Sequence, residues 1–146
     1  MNLSLAQLQT LKVWLVANAG SMNDQEAADA LNAEASPTFN IYRTVVSVGE
    51  VMLNGFDWTR VDNLSVGKAR IWEWMTTAKE INDEFVFDPS KSNIRAGINE
   101  TWKGTAGDLA VRAAVYLHCF RAATIAEQLF ATGAGTAPAE DGVGQV

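Results

Sequence analysis

The sequence predicts an all-α fold, a single-domain bundle of five or six helices around a long apolar C-terminal helix, followed by a disordered tail. Three observations lead there. Capping pairs, in which Ser, Thr or Asn is followed three residues later by Gln, Glu or Asp, recur at Ser4–Gln7, Asn23–Glu26, Ser47–Glu50 and Thr105–Asp108. Apolar residues fall at helical spacing behind these caps. The stretch Leu109–Ala131 is the most apolar of the chain and carries only Arg112, Arg121 and Glu127 as charges. The expected boundaries are 1–131 for a helical domain and 132–146 for a flexible C-terminal tail.

Ser4 and Gln7 open the first helix, which ends near Asn18-Ala19-Gly20. Leu5, Leu8, Leu11 and Leu15 cover roughly a third of its circumference, the stripe of a core-facing helix. Lys12 falls inside that stripe and has to reach outward along its own stem. Asn23 starts an alanine-rich helix that runs to about Asn32, and Ala35-Ser36-Pro37-Thr38 breaks the chain. Phe39 to Ser47 alternates like a strand, but with no partner strand in view extended and helical readings are equal. Ser47 starts a short helix that stops at Asn54-Gly55, and Ser65 caps a helix running to about Thr77. In it Ile71, Trp74 and Met75 share a face, with Trp72 beside them. Residues 80–88 read as a loop with two exposed phenylalanines. Asp88-Pro89 begins a helix to about residue 103, since proline at the first helical position loses no needed hydrogen bond. Thr105 opens the last and longest helix, which ends at Thr132-Gly133. Residues 132–146 hold four glycines, one proline and no aromatic residue, so they bury too little apolar surface to offset ordering entropy.

A chain of 146 residues with 48% hydrophobic content has enough apolar side chains for a core without metal or disulfide support. Its net charge of −6 disfavours nucleic acid, because phosphate-backbone binding relies on clustered Lys and Arg. One cysteine, Cys119, excludes an intramolecular disulfide framework. The opening MNLSLAQLQT has no basic residue before Lys12 and does not read as a secretory signal. Leu109–Ala131 suits a buried helix better than a bilayer span, so no membrane partner is expected.

No catalytic, cofactor-binding or metal-ligating set emerges. His118 and Cys119 are single and adjacent, so on a helix they diverge by about 100° and read as core residues, not as a dyad. One His and one Cys cannot assemble a zinc set. Gly67-Lys68 resembles the end of a phosphate-binding loop, but Asp62 and Ala69 stand where Gly and Ser or Thr are required. Asp57 and Asp62 could in principle work as acid and base. Capping, or pairing with Arg60, Lys68 or Arg70, is the better use of them.

The region of greatest interest is Phe56–Trp74, FDWTRVDNLSVGKARIWEW, with three of the five tryptophans interleaved with charges. Trp72 and Trp102 belong on the apolar side of their helices and should be buried. The candidate interface is Trp58, Arg60, Lys68, Arg70, Trp74, Phe85 and Phe87, because Trp and Arg are over-represented among interface anchors.

From residue 39 onward, Asp57-Trp58, Val61-Asp62, Gly67, Ala69-Arg70-Ile71-Trp72 with Trp74, Asn93-Ile94-Arg95-Ala96-Gly97 and Leu129-Phe130-Ala131-Thr132-Gly133 form a pattern. It resembles a family of small proteins encoded among the virion structural genes of tailed bacteriophages and prophages. Ile125 and Gln128 depart from that pattern, standing where the family's last helix carries basic residues. The resemblance implies a non-enzymatic virion structural or assembly protein, made in the host cytoplasm. The expected role is a head–tail connector ring subunit whose partners are portal or tail components and further copies of itself. The alternative is a phage-encoded inhibitor that binds a host defence or regulatory protein.

Overall fold

The computed structural model describes residues 2–136 and 144. Its elements, in chain order, are helices α1 (Leu5–Asn18) and α2 (Asp24–Asn32), strands β1 (Asn40–Tyr42) and β2 (Val46–Ser47), and helix α3 (Val48–Leu53). A 3-10 turn at Trp58–Asn63 leads into helix α4 (Val66–Thr77), strands β3 (Glu80–Ile81) and β4 (Glu84–Phe87), and helices α5 (Ser92–Thr101) and α6 (Ala106–Leu117). Strand β5 (Phe120–Ala122) and helix α7 (Ile125–Phe130) complete the order. The fold is therefore mixed α/β, with two small antiparallel sheets, and the all-α expectation is overturned.

The decisive correction lies at 118–124. The expected long C-terminal helix is two short helices with a strand between them. His118 caps α6, and Thr124 opens α7 through a capping box with Glu127. The strand β5 pairs with β1. That pairing also resolves the first half of Phe39–Ser47: Asn40–Tyr42 is extended because its partner lies in the stretch read as helix, whereas Val46–Ser47 pairs with β4 in the stretch read as a loop.

Two compact units emerge. Of the described residues, unit 1 holds 2–41, 122–136 and 144, and unit 2 holds 42–121. The division passes through both β1 and β5.

Unit 1 is built from capped helices and a short run of backbone bonds. Ser4 Oγ accepts the Gln7 N–H at 3.2 Å while Gln7 Oε1 accepts the Ser4 N–H at 2.9 Å, and Asn23 with Glu26 repeats the device on α2. The Ile125 N–H donates to Ala33 O at 2.9 Å, Ala35 N–H to Ala123 O at 3.0 Å, and Ala123 N–H to Phe39 O at 2.7 Å. Ala35, Ile41 and Ala123 are buried, but α1, α2 and α7 contain no buried residue. Most of the tail expected to be flexible, 137–143 with 145 and 146, lies outside the described residues. Within the described part, Gly135 O accepts from Asn40 N and the Gly144 N–H donates to Asn40 O, both at 2.8 Å. Gly135 has φ +70 and lies against the Phe39 ring so closely that a Cβ would overlap it.

Unit 2 closes around aromatic rings. Phe56 stacks on Trp72 with centroids 5.8 Å apart, and Trp102 meets both edge-on at 5.5 and 5.4 Å. Trp102 is fully buried and Trp72 nearly so, as the sequence predicts. The buried face of α4 is Trp72, Met75 and Thr76, so the expected face is corrected: Trp74 points to solvent. Helix α5 approaches α4 at Gly97, where a Cβ would lie 3.1 Å from Met75 Sδ.

The residues 80–88 are a hairpin rather than a loop. Asn82 and Asp83 adopt φ of 51° and 62° between β3 and β4, the left-handed pair that a two-residue hairpin turn requires and that Asn and Asp tolerate. Strand β4 is central in the order β2-β4-β3, with Val46 opposite Phe87 and Glu80 opposite Phe85. Helices α3 and α4 pack on β4, so Val86 and Phe87 are both buried.

Candidate functional site

The expected interface residues divide by exposure. Asp57 caps the 3-10 turn, accepting from Thr59 N at 3.0 Å and Thr59 Oγ1 at 2.6 Å, and this holds Trp58 in place. Trp58 is 55% exposed, with its remaining surface edge-on to Phe56 at 5.5 Å. Val66, Arg70 and Trp74, at i, i+4 and i+8, share the outer face of α4, and all three are exposed. Trp74 is 66% exposed. Phe85 is exposed on β4, whereas Phe87 is in the core and offers no surface.

Arg60 and Lys68 are committed to internal bonds. Arg60 Nη2 donates to Thr105 Oγ1 at 2.8 Å and to Asp108 Oδ1 at 3.0 Å. Its guanidinium lies flat on Gly107, where a Cβ would come within 2.6 Å of Cζ. Glycine at 107 is what admits it. The Arg60 bond and those from Thr105 hold the Asp108 carboxyl below its ordinary value. Lys68 Nζ donates to Lys103 O at 3.0 Å.

A second cluster was not foreseen. Arg43 donates to both carboxylate oxygens of Glu50, at 2.7 and 3.2 Å, and to His118 O at 3.0 Å. The two ring nitrogens of His118 lie 3.3 Å from Glu50 Oε1 and 3.2 Å from Asn54 O. His118 therefore does not sit inert in the core; it ties the end of α6 to α3. Arg43 holds the Glu50 carboxyl below its usual range. Neighbouring Cys119 is buried, donates to Val115 O at 3.3 Å, and its thiol is pushed up to about 12 by desolvation. No feature of spacing pairs Arg43 with His118. The signal was the capping pair Ser47–Glu50, which reports the helix start and not the carboxylate's partner.

In unit 1, the leucine stripe expected to face a core is split. Leu11 and Leu15 are half-buried together with Trp14, while Leu5 is 80% and Leu8 is 49% exposed. Val13 and Val16 are exposed as well. Val13, Trp14, Ala17 and Leu129 line an open apolar groove of about 490 Å³ beside α1.

Among the described residues, no three or more His, Cys, Asp or Glu side chains are grouped to hold a metal ion, and no helix is long and apolar enough to cross a membrane. Asp57 acts as a cap and Asp62 lies on the exposed side of the 3-10 turn. No family model, curated protein or solved structure matches the chain. The functional reading rests on the surfaces just described and on the sequence pattern.

Proposed function

We propose that this chain is a structural or assembly component of a tailed-bacteriophage virion, acting as a head–tail connector subunit that binds portal or tail components. The observation that carries the reading is the pair of tryptophans held outward on ordered elements. Trp58 is anchored by the Asp57 cap and by Phe56, and Trp74 projects from α4 in line with Arg70. A large ring on a rigid element loses little entropy when a partner covers it, and Trp with Arg supplies much of the energy of protein interfaces. The resemblance of Ala69-Arg70-Ile71-Trp72 and its companion motifs to virion-region proteins supports the same reading. The proposed contact comprises Trp58, Arg70, Trp74 and Phe85. Arg60 ties the 3-10 turn to the start of α6, and Lys68 ties α4 to Lys103 beyond the end of α5.

Quantitative mass spectrometry of purified virions tests this. A connector is present at a constant copy number per particle, and Trp74→Ala lowers that number without unfolding the protein. Absence from virions, with recovery of the chain on a host protein in infected cells, sinks the connector reading in favour of an inhibitor.

A further inference from the structure

Asn54-Gly55 is the only asparagine–glycine step in the chain. It lies just past the end of α3, and both residues are exposed. Asn54 has left the helical conformation, with φ −126° and ψ 91°, and Gly55 follows at φ +80°. The Gly55 N–H donates to no described residue. A Cβ added at Gly55 would meet nothing within 4 Å, so the peptide after Asn54 has room to turn. The Asn54 carboxamide is held by an exposed bond from Nδ2 to Glu50 O at 2.8 Å.

We infer that Asn54-Gly55 is a self-modification site, at which the chain converts its own carboxamide to a carboxylate and so loosens the end of α3. The Gly55 nitrogen attacks Asn54 Cγ, forming an N–Cγ bond as the Cγ–Nδ2 bond breaks. The Gly55 N–H proton reaches the departing Nδ2 through solvent, and Nδ2 leaves as ammonia. The cyclic imide then takes up water. Addition at Cγ gives an aspartate at this position, and addition at the main-chain carbonyl carbon gives an isoaspartyl linkage. A water enters and an ammonia leaves, so the step needs no oxidant, reductant or further reactant. Glycine permits it, because a nitrogen that carries no bulky residue can close on Cγ without a clash. Asn82 supplies the contrast. It is exposed too, but it is held at φ 51° in the hairpin turn and is followed by Asp83.

The consequences fall on unit 2. Both products exchange an N–H donor for a carboxylate that only accepts, so the bond to Glu50 O is lost. Both also set a negative charge at i+4 from Glu50, a destabilising like-charge pair. Asn54 O faces His118 Nε2 at 3.2 Å, and Phe56, two residues on, stacks on Trp72. The isoaspartyl product inserts a methylene into the main chain between α3 and Phe56 and turns the carbonyl facing His118 into a free carboxylate. The ring and the helix end then cannot both keep their places. None of this rests on the virion reading.

Incubation of the folded full chain at mildly alkaline pH, followed by peptide mapping and anion exchange, is the test. Conversion at Asn54 should be at least about tenfold faster than at Asn82 or any other asparagine. The acidic fraction that accumulates should unfold at a lower urea midpoint than the fresh protein. Asn54→Asp, which reproduces one product, should show a lowered midpoint from the start. Asn54→Gln keeps a carboxamide but enlarges the ring that has to close, and should abolish the acidic fraction. The proposal is overturned by no conversion, by conversion that begins elsewhere, or by an acidic fraction or an Asn54→Asp variant as stable as the fresh protein. An acidic fraction undiminished in Asn54→Gln overturns it as well.

Discussion

Unit 1 and unit 2 have comparable fractions of hydrophobic residues and use them to opposite ends. In unit 2, Val46, Val51, Ile98, Trp102, Val115 and Cys119 are almost wholly removed from water around the Phe56–Trp72–Trp102 rings. In unit 1 the only buried hydrophobic residues among those described are Ala35, Ile41 and Ala123, while α1 leaves two leucines and two valines in solvent. Apolar content alone does not make a core. What unit 2 has and unit 1 lacks is a set of large rings from different helices and turns converging on one point. Unit 1 is held by caps and by backbone bonds between 33–41 and 122–136, interactions worth only about 1 kcal/mol each.

The sharpest way to break this contrast is to remove a ring. Trp102→Ala should cost about 3–5 kcal/mol in urea unfolding, since it leaves a cavity that Phe56 and Trp72 cannot fill. Trp102→Phe should cost distinctly less, because it keeps most of the volume and deletes an indole N–H that finds no acceptor among the described residues. Trp14→Ala in unit 1, where the ring is only half-buried, should cost well under half as much as Trp102→Ala. Equal losses at Trp14 and Trp102 would erase the distinction between the units.

Arg60→Ala comes next. It leaves the nearly buried Asp108 carboxylate with only its Thr105 bonds, at a cost of about 1–3 kcal/mol. Asp108→Asn in the same background should recover part of that loss, because the carboxylate that needed the cation is gone.

The pH dependence belongs to unit 2 as well. Glu50 and Asp108 both have folded values depressed below their ordinary 4.5 and 3.8, chiefly by the bonds from Arg43 and Arg60. A depressed carboxylate contributes stability that is complete above its unfolded value and lost as pH falls through the folded one. Unfolding monitored by tryptophan fluorescence should therefore weaken below about pH 4.5, and Glu50→Gln should flatten that dependence. A slope unchanged by Glu50→Gln would remove the Arg43–Glu50 pair from the account.

The smallest effect is expected on the outer face of α4. Trp74→Ala should change the stability of the isolated protein by no more than about 0.5 kcal/mol, since the ring is two-thirds exposed. A large loss there would make Trp74 a packing residue and weaken its claim as an interface anchor.

How much of this was readable from sequence follows the range of the interaction. Capping pairs act over three residues, and the helix starts at Ser4, Asn23, Ser47, Ser65 and Thr105 are where the sequence puts them. The burial of Trp72 and Trp102 was likewise legible from helical spacing. Strand pairing is not local, and two misread stretches hid the partners of one segment. Taking Cys119–Thr124 as helix hid β5, the partner of Asn40–Tyr42, and taking 80–88 as a loop hid β4, the partner of Val46–Ser47. The Thr124–Glu127 capping box was present in the sequence and marks the break, but the apolar run around it concealed it. Asn82-Asp83 between Glu-Ile and Glu-Phe-Val-Phe carried the hairpin signal in the same way. At the candidate site, Trp58 and Phe85 are exposed and Phe87 is buried. Phe87 could not be told from Phe85 without knowing that α3 and α4 cover β4. The Arg43–Glu50–His118 cluster joins positions far apart in the chain, and nothing local announces it.

Cys119 gives the chain a built-in clock. It is the only cysteine, it has no accessible surface, and burial keeps its thiol protonated at neutral pH. A thiol-specific reagent in excess therefore modifies the protein only when the segment joining α6 to β5 comes loose, and the labelling rate becomes a direct count of those openings. Because that segment also carries the His118 link to α3, a single mass measurement over time reports how often this end of unit 2 unlatches, with no mutation and no added probe site.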